Sequence, residues 1–173
     1  QSRLILAELK RRNGNVTEAF EDLKYCFENP DLNPENKIRL LADYRATLPA
    51  AQLTELALPL SKLLVQAHED VADAHIIYGD LLQQQGQLEL AKNAYQKSVS
   101  LDPSSLTVWQ NIIQLHFELN KIDSAVHYSS MALELFPNQG VLYYFNGAAN
   151  LQEGNNKEAV YALEQGKRLS SSN

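Results

Sequence analysis

The chain repeats itself every 34 residues, and few properties narrow a fold as sharply. Residues 101–110 read LDPSSLTVWQ and residues 135–144 read LFPNQGVLYY. In both, an apolar helical run stops at a proline, pauses on polar residues and restarts toward a large ring. Segments 72–105, 106–139 and 140–173 align without a gap. His75, Trp109 and Tyr143 share the fourth place, a slot for large flat side chains. Gly79 and Gly147 share the eighth, with Ile113 between them. Gly86, Asn120 and Gly154 share the fifteenth, Ala91, Ala125 and Ala159 the twentieth, and Pro103 and Pro137 the thirty-second.

Each recurrence has a mechanical meaning. The apolar spacing within a segment is helical, so each unit reads as two helices. Gly, and after it Asn, tolerates the left-handed conformation that ends a helix, so the fifteenth place predicts the bend of a helical hairpin. Proline lacks an amide proton and clashes with the turn before it, so Pro103 and Pro137 close the second helix. Ser104, Ser105 and Asn138 are candidate caps for the helix that follows. Gly79 and Gly147 fall inside helices, where glycine costs about 1 kcal/mol relative to alanine. A close approach to the alanine at the twentieth place would offset that cost.

The register extends backwards. Ala57 lies 34 residues before Ala91, and Gly14 precedes Ala19 by the same five residues that separate Gly86 from Ala91. About four extra residues fall within ENPDLNPE, residues 28–35. The chain therefore reads as one array, residues 1–173, of five units: 1–34 (partial), 38–71 (degenerate), 72–105, 106–139 and 140–173. In the degenerate unit Arg45 takes the small place, and Pro59 predicts a kink or a restarted helix.

These places resemble those of the tetratricopeptide repeat, most completely in ADAHIIYGDLLQQQGQLELAKNAYQKSVSLDPSS, residues 72–105. Ile113 departs from the pattern and should hold its two helices apart, and Ser171 stands where a closing proline would be. The resemblance implies an all-α fold, an α-α superhelix or right-handed solenoid of about five helical hairpins. It also implies a concave groove lined by first helices. Carried over place by place, the lining is Asp73, Ile76, Asp80, Gln83 and Gln84 on one helix. The next contributes Thr107, Gln110, Gln114, Phe117 and Glu118, and the last Val141, Tyr144, Ala148, Leu151 and Gln152. Phe117 and Tyr144 read as exposed anchors. The fifth and ninth places lack the Lys, Arg and Asn with which some members clamp a chaperone's terminal carboxylate.

The resemblance implies a protein-interaction scaffold holding a protein or peptide segment, one with a basic and an apolar portion. Packing of a further helix over Tyr144 and Leu151 is the alternative at that end. Self-association, with Leu163 and Leu169 as candidate contacts, or service as the regulatory arm of a larger protein, is the alternative for the whole. The stretches YGDLLQQQGQ and LELFPNQGVLYYFNGAANL also look like long repeat proteins of bacterial envelopes, which leans toward an extracytoplasmic parent. Gln1 in place of a methionine suggests a segment of such a parent.

Charge agrees with a protein partner. The formal net charge is −6, against a nucleic-acid or anionic-membrane surface. Residues 63–120 hold two lysines against seven acids, whereas residues 1–45 balance eight against eight. An acidic middle suits a cationic segment, or serves only as a solvated face. No apolar run approaches the ~20 residues of a membrane span.

Chemistry finds little footing, and we expect neither catalysis, a cofactor nor a metal. His75 and His116 occupy packing places, His127 a solvent place, and the glycines are caps and packing residues. Cys26, the single cysteine, reads as a small core residue. Lys10-Arg11-Arg12 suits the end of a helix as a solvated face. The sequon Asn15-Val16-Thr17 falls in a hairpin turn.

Overall fold

In the computed structural model the described residues are 2–171, without the side chains of residues 2, 16 and 17. The side chains of Val16 and Thr17 in the sequon and the last two places of segment 140–173 lie outside them. The helices are α1 (Ser2–Arg12), α2 (Val16–Glu28), α3 (Pro34–Thr47), α4 (Ala50–Gln52), α5 (Leu58–Ala67), α6 (Ala72–Gln84), α7 (Leu88–Leu101), α8 (Leu106–Glu118), α9 (Ile122–Leu135), α10 (Gly140–Gln152) and α11 (Asn156–Ser170). A π-helical stretch, Leu53–Ala57, joins α4 to α5 into one interrupted track. The fold is all-α, of the α-α superhelix class, and no strand occurs among the described residues. Two packing units divide it, residues 1–101 and 102–173.

The bends fall at the fifteenth places. Gly14, Gly86 and Gly154 have φ of 88°, 71° and 82°, and Asn120, at 55°, is the one described non-glycine residue with positive φ. The following amide reaches back five residues each time. Gln87 donates to the Leu82 carbonyl at 2.9 Å, Lys121 to His116 at 2.8 Å and Asn155 to Asn150 at 2.9 Å. These bonds satisfy carbonyls that a helix end would otherwise leave without a partner.

The alanines Ala19, Ala57, Ala91, Ala125 and Ala159 are all buried. They are not, however, what the in-helix glycines chiefly face. A Cβ on Gly79 would lie 2.8 Å from the ring of Tyr95, and one on Gly147 would lie 2.7 Å from Leu163, one turn beyond Ala91 and Ala159. At Gly147 the Ala159 carbonyl also comes near, at 3.2 Å. The missing Cβ makes room for a large side chain on the partner helix rather than pairing small with small. Where Ile113 replaces glycine it is buried, and α8 and α9 pack less closely than α10 and α11.

Other corners depart from expectation. Neither Ser105 nor Gln139, the residues preceding α8 and α10, makes a side-chain cap. Asp102 instead accepts from the Ser104 amide at 2.9 Å, a turn that spends the carboxylate on the corner. Asn33 does cap α3, accepting from the Glu35 amide at 2.7 Å. Before Pro59 the Leu58 amide donates to Leu53, five residues back. That wider turn lets the track continue past a residue that cannot donate to its own preceding turn.

The core of the first unit is built from Leu23, Phe27, Leu41, Tyr44, Leu60, Leu64 and Leu81 with smaller neighbours. In the second, Val108, Trp109, Ile112, Leu115 and Leu142 are buried. Each such side chain contributes about 1.5–3 kcal/mol relative to exposure. The ring at the fourth place also ties a corner. Trp109 Nε1 donates to the Pro103 carbonyl at 2.9 Å, and His75 Nε2 lies 3.0 Å from the Glu69 carbonyl, again six residues back. A carbonyl partner requires that the His75 nitrogen carry hydrogen.

Candidate functional site

Among the residues singled out on α6, Asp73 is exposed, and Ile76, Asp80 and Gln83 are half-buried. Asp80 is not a bare acid. Arg45 forms an ion pair with it, and the Tyr95 hydroxyl donates to it at 2.7 Å. The same hydroxyl lies 3.0 Å from Gln83 Oε1. Asp80 and Gln83 thus brace the hairpin, and the negative field expected from Asp80 is offset by the arginine that fills the small place of the degenerate segment.

The other set lies in the second unit, where α8 and α10 pack side by side. Tyr144 is 62% exposed, Leu151 57% and Val141 41%. Gln114 is exposed and pairs with Glu118 at 2.9 Å, while Gln110 and Ala148 are half-buried. Phe117 proves half-buried rather than exposed. Its ring sits 6.3 Å from that of Phe145, and Phe145 sits 6.5 Å from Tyr144. Three rings therefore run as a strip across α8 and α10, with Phe145 the member that place-by-place transfer omitted. Glu118 is the one Asp, Glu, Lys or Arg in either helix.

Two further concavities had no place among the sequence expectations. Between α1 and α3 lies a groove of about 480 Å³ whose apolar lining is Leu4, Ile5, Leu9 and Leu40. Its charged lining is Glu8, Arg12, Arg39 and Asp43. The signal was available, since Ile5, Leu6 and Leu9 make α1 apolar over more than one face and all three are exposed. On the second unit an open cleft of about 530 Å³ is bordered by Ser130, Asn146, Asn150, Lys157, Glu158 and Tyr161. Asn146 stands where the other segments place Tyr78 and Ile112, and Asn150 where they place Leu82 and His116. Asn146 donates to Ser129 and Ser130 at 2.9 and 3.0 Å, and Asn150 donates to Asn146 Oδ1 at 3.0 Å. Hydrogen bonding makes these buried amides tolerable.

The basic run on α1 is ion-paired rather than merely solvated. Lys10 bonds Asp22 at 2.8 Å, while Arg11 and Arg12 both reach Glu8. The Tyr44 hydroxyl donates to Glu8 at 2.5 Å. Burial alone would raise the Glu8 pKa, but hydrogen bonds from Arg11, Tyr44 and Arg12 outweigh it and hold the carboxyl at about 2. Burial, reinforced by that carboxylate, pushes the Tyr44 phenol up. Cys26 is buried, and burial raises its thiol as well. His116 is buried and stacks on Tyr128, with ring centres 4.8 Å apart, while His127 is exposed. No cluster of three His, Cys, Asp or Glu suited to a metal occurs among the described residues. None of their helices is long and apolar enough to cross a membrane.

Comparison with known proteins agrees with this geometry. The tetratricopeptide repeat family profile matches residues 72–105. Protein O-mannosyl-transferase TMTC3 of Homo sapiens is 33% identical over 111 residues. That alignment spans 64% of the chain but 12% of the relative's own length. The crystal structure of MamA superposes with a TM-score of 0.72 at 18% identity, covering 96% of the chain and 95% of MamA. A second MamA structure, AMB-1, gives 0.73 at 17% identity over 99% and 92%. At such identities the likeness is one of fold.

Proposed function

We propose, from the premise that residues 72–105 are a tetratricopeptide repeat in an all-α array of the same fold, that this chain is a protein-interaction scaffold without catalysis of its own. Its working surface is the α8–α10 wall, which holds a partner segment with an apolar anchor and a basic portion. The observation carrying this reading is the strip Phe117–Phe145–Tyr144, continued by Val141 and Leu151, on two helices whose one charged residue is Glu118. Aromatic side chains in such positions dominate binding energy at protein interfaces. The expected affinity is about micromolar, or about −8 kcal/mol. Asp73, Ile76, Asp80 and Gln83 play a lesser part, since two of them are engaged by Tyr95.

Selection from a random peptide library tests this. Wild-type chain should enrich sequences combining Lys or Arg with a large apolar residue, and Tyr144→Ala with Leu151→Ala should weaken the winners at least about tenfold, or about 1.4 kcal/mol. Equal binding by the double variant would overturn the placement.

A second reading, self-association, is favoured by Val160 and Tyr161, which are exposed on α11. Leu163, a candidate from sequence, packs on Gly147 within its own hairpin, so its loss would test folding instead.

A further inference from the structure

Lys37 projects from α3 into the interior of the first unit and is 1% exposed. Its Nζ lies 2.6 Å from the Asn29 carbonyl, 3.3 Å from the Phe27 carbonyl and 2.8 Å from Nε2 of His68. These three acceptors match the three protons of an ammonium. Phe27 and Asn29 belong to the end of α2, and His68 caps the end of α5. One nitrogen therefore pins the close of two helices to a third. Every partner is neutral, with no carboxylate among them, an unusual setting for a buried cation.

His68, itself buried, accepts through Nε2 only while that nitrogen is unprotonated. A proton there would set an imidazolium against an ammonium 2.8 Å away. We propose that Lys37 and His68 form a proton-operated latch: acid protonates His68, breaks its bond to Lys37 and loosens α3 from the end of α5. The same helix supplies Asn36, Arg39, Leu40 and Asp43 to the α1–α3 groove, so the latch sets one wall of that concavity. It stands independently of what the α8–α10 wall binds.

The surroundings support this polarity. Burial, then the Lys37 charge, lower the His68 pKa below its ordinary 6.5, and Asp70 in the following turn opposes them. Burial depresses Lys37 from 10.5 to about 8, with Cys26 of α2 opposing. The Cys26 thiol is itself pushed up by burial, so it brings no compensating charge at neutral pH. From α6, His75 engages the Glu69 carbonyl rather than the pair. Because both folded values lie below the unfolded ones, the unfolded chain binds more protons. Stability therefore falls as pH drops below 6.5 and has fully lost the histidine contribution below the folded His68 value. The lysine contribution rises between about 8 and 10.5.

Histidine and amide NMR of the 173-residue chain from pH 8 to 4.5 tests the latch. His68 should titrate below 6.5, and the amides of Leu40 and Leu41 should shift with the same midpoint. Lys37→Met should raise the His68 midpoint, and His68→Gln should abolish the shared titration of the α3 amides. Thermal midpoints should fall from pH 7.5 to 5.5 in wild type and less in His68→Gln. A His68 midpoint at or above 6.5 in wild type would overturn the proposal without need of any variant. So would α3 amides that titrate alike with and without His68.

Discussion

Two hairpins of the first unit, α6–α7 and the α3-to-α5 pair beside it, solve the same packing problem in different ways. In α6–α7 the glycine at the eighth place admits the Tyr95 ring, the bend is glycine, and the buried positions other than His75 and Tyr95 are apolar or small. In α3-to-α5 there is no glycine, the eighth place is Arg45, and the returning helix passes through a π turn before Pro59. Polar bonds are added there to the apolar core: Arg45 with Asp80, Lys37 with His68, and Tyr44 with the Glu8–Arg11–Arg12 cluster of α1. A repeat that loses its shape code keeps its apolar core and adds charges and hydrogen bonds to hold its place.

The largest effect expected from breaking this contrast is Tyr95→Ala. It removes a fully buried ring that also braces Asp80 and Gln83, and should cost about 3–5 kcal/mol in urea unfolding. Tyr44→Phe is the matched test on the polar side. It deletes a bond to a charged acceptor and should cost roughly 1.5–3 kcal/mol by the same assay. Its pH signature differs too. The Glu8 pKa lies below that of the unfolded chain, so its stabilisation is present above 4.5 and is lost as pH falls through about 2. The gap between wild type and Glu8→Gln should close over that interval. Gly86→Ala, at φ of 71°, should cost about 1–2 kcal/mol, whereas Asn120→Gly at the equivalent bend should be near neutral. Arg45→Ala removes a half-exposed pair worth at most about 1 kcal/mol and fading with added salt.

The same contrast explains what could be read in advance. Gly86, Asn120 and Gly154 declare their bends because positive φ admits few residues, so identity and geometry are tied one to one. The rings at His75 and Trp109 and the alanines at the twentieth place are legible for similar reasons. What escaped depends on pairings between distant residues that no period encodes. Lys37 is separated from His68 by 31 residues, and Glu8 from Tyr44 by 36. A lysine in a helix is ordinarily a surface residue, so nothing local marked this one as buried. Transfer by place put Tyr144 and Leu151 at exposed positions but overstated the exposure of Phe117 and passed over Phe145, because a family place specifies direction and not what a neighbouring ring covers. The α1–α3 groove went unread because its walls belong to the two segments whose register is weakest.

The α8–α10 wall is the centre of the functional account, and amide NMR mapping of a peptide selected on the wild-type chain tests it most directly. Shifts should concentrate on α8 and α10, around Phe117, Tyr144, Phe145 and Leu151, with saturation near micromolar concentrations. Shifts confined to α9 and α11, or to the groove between α1 and α3, would contradict it.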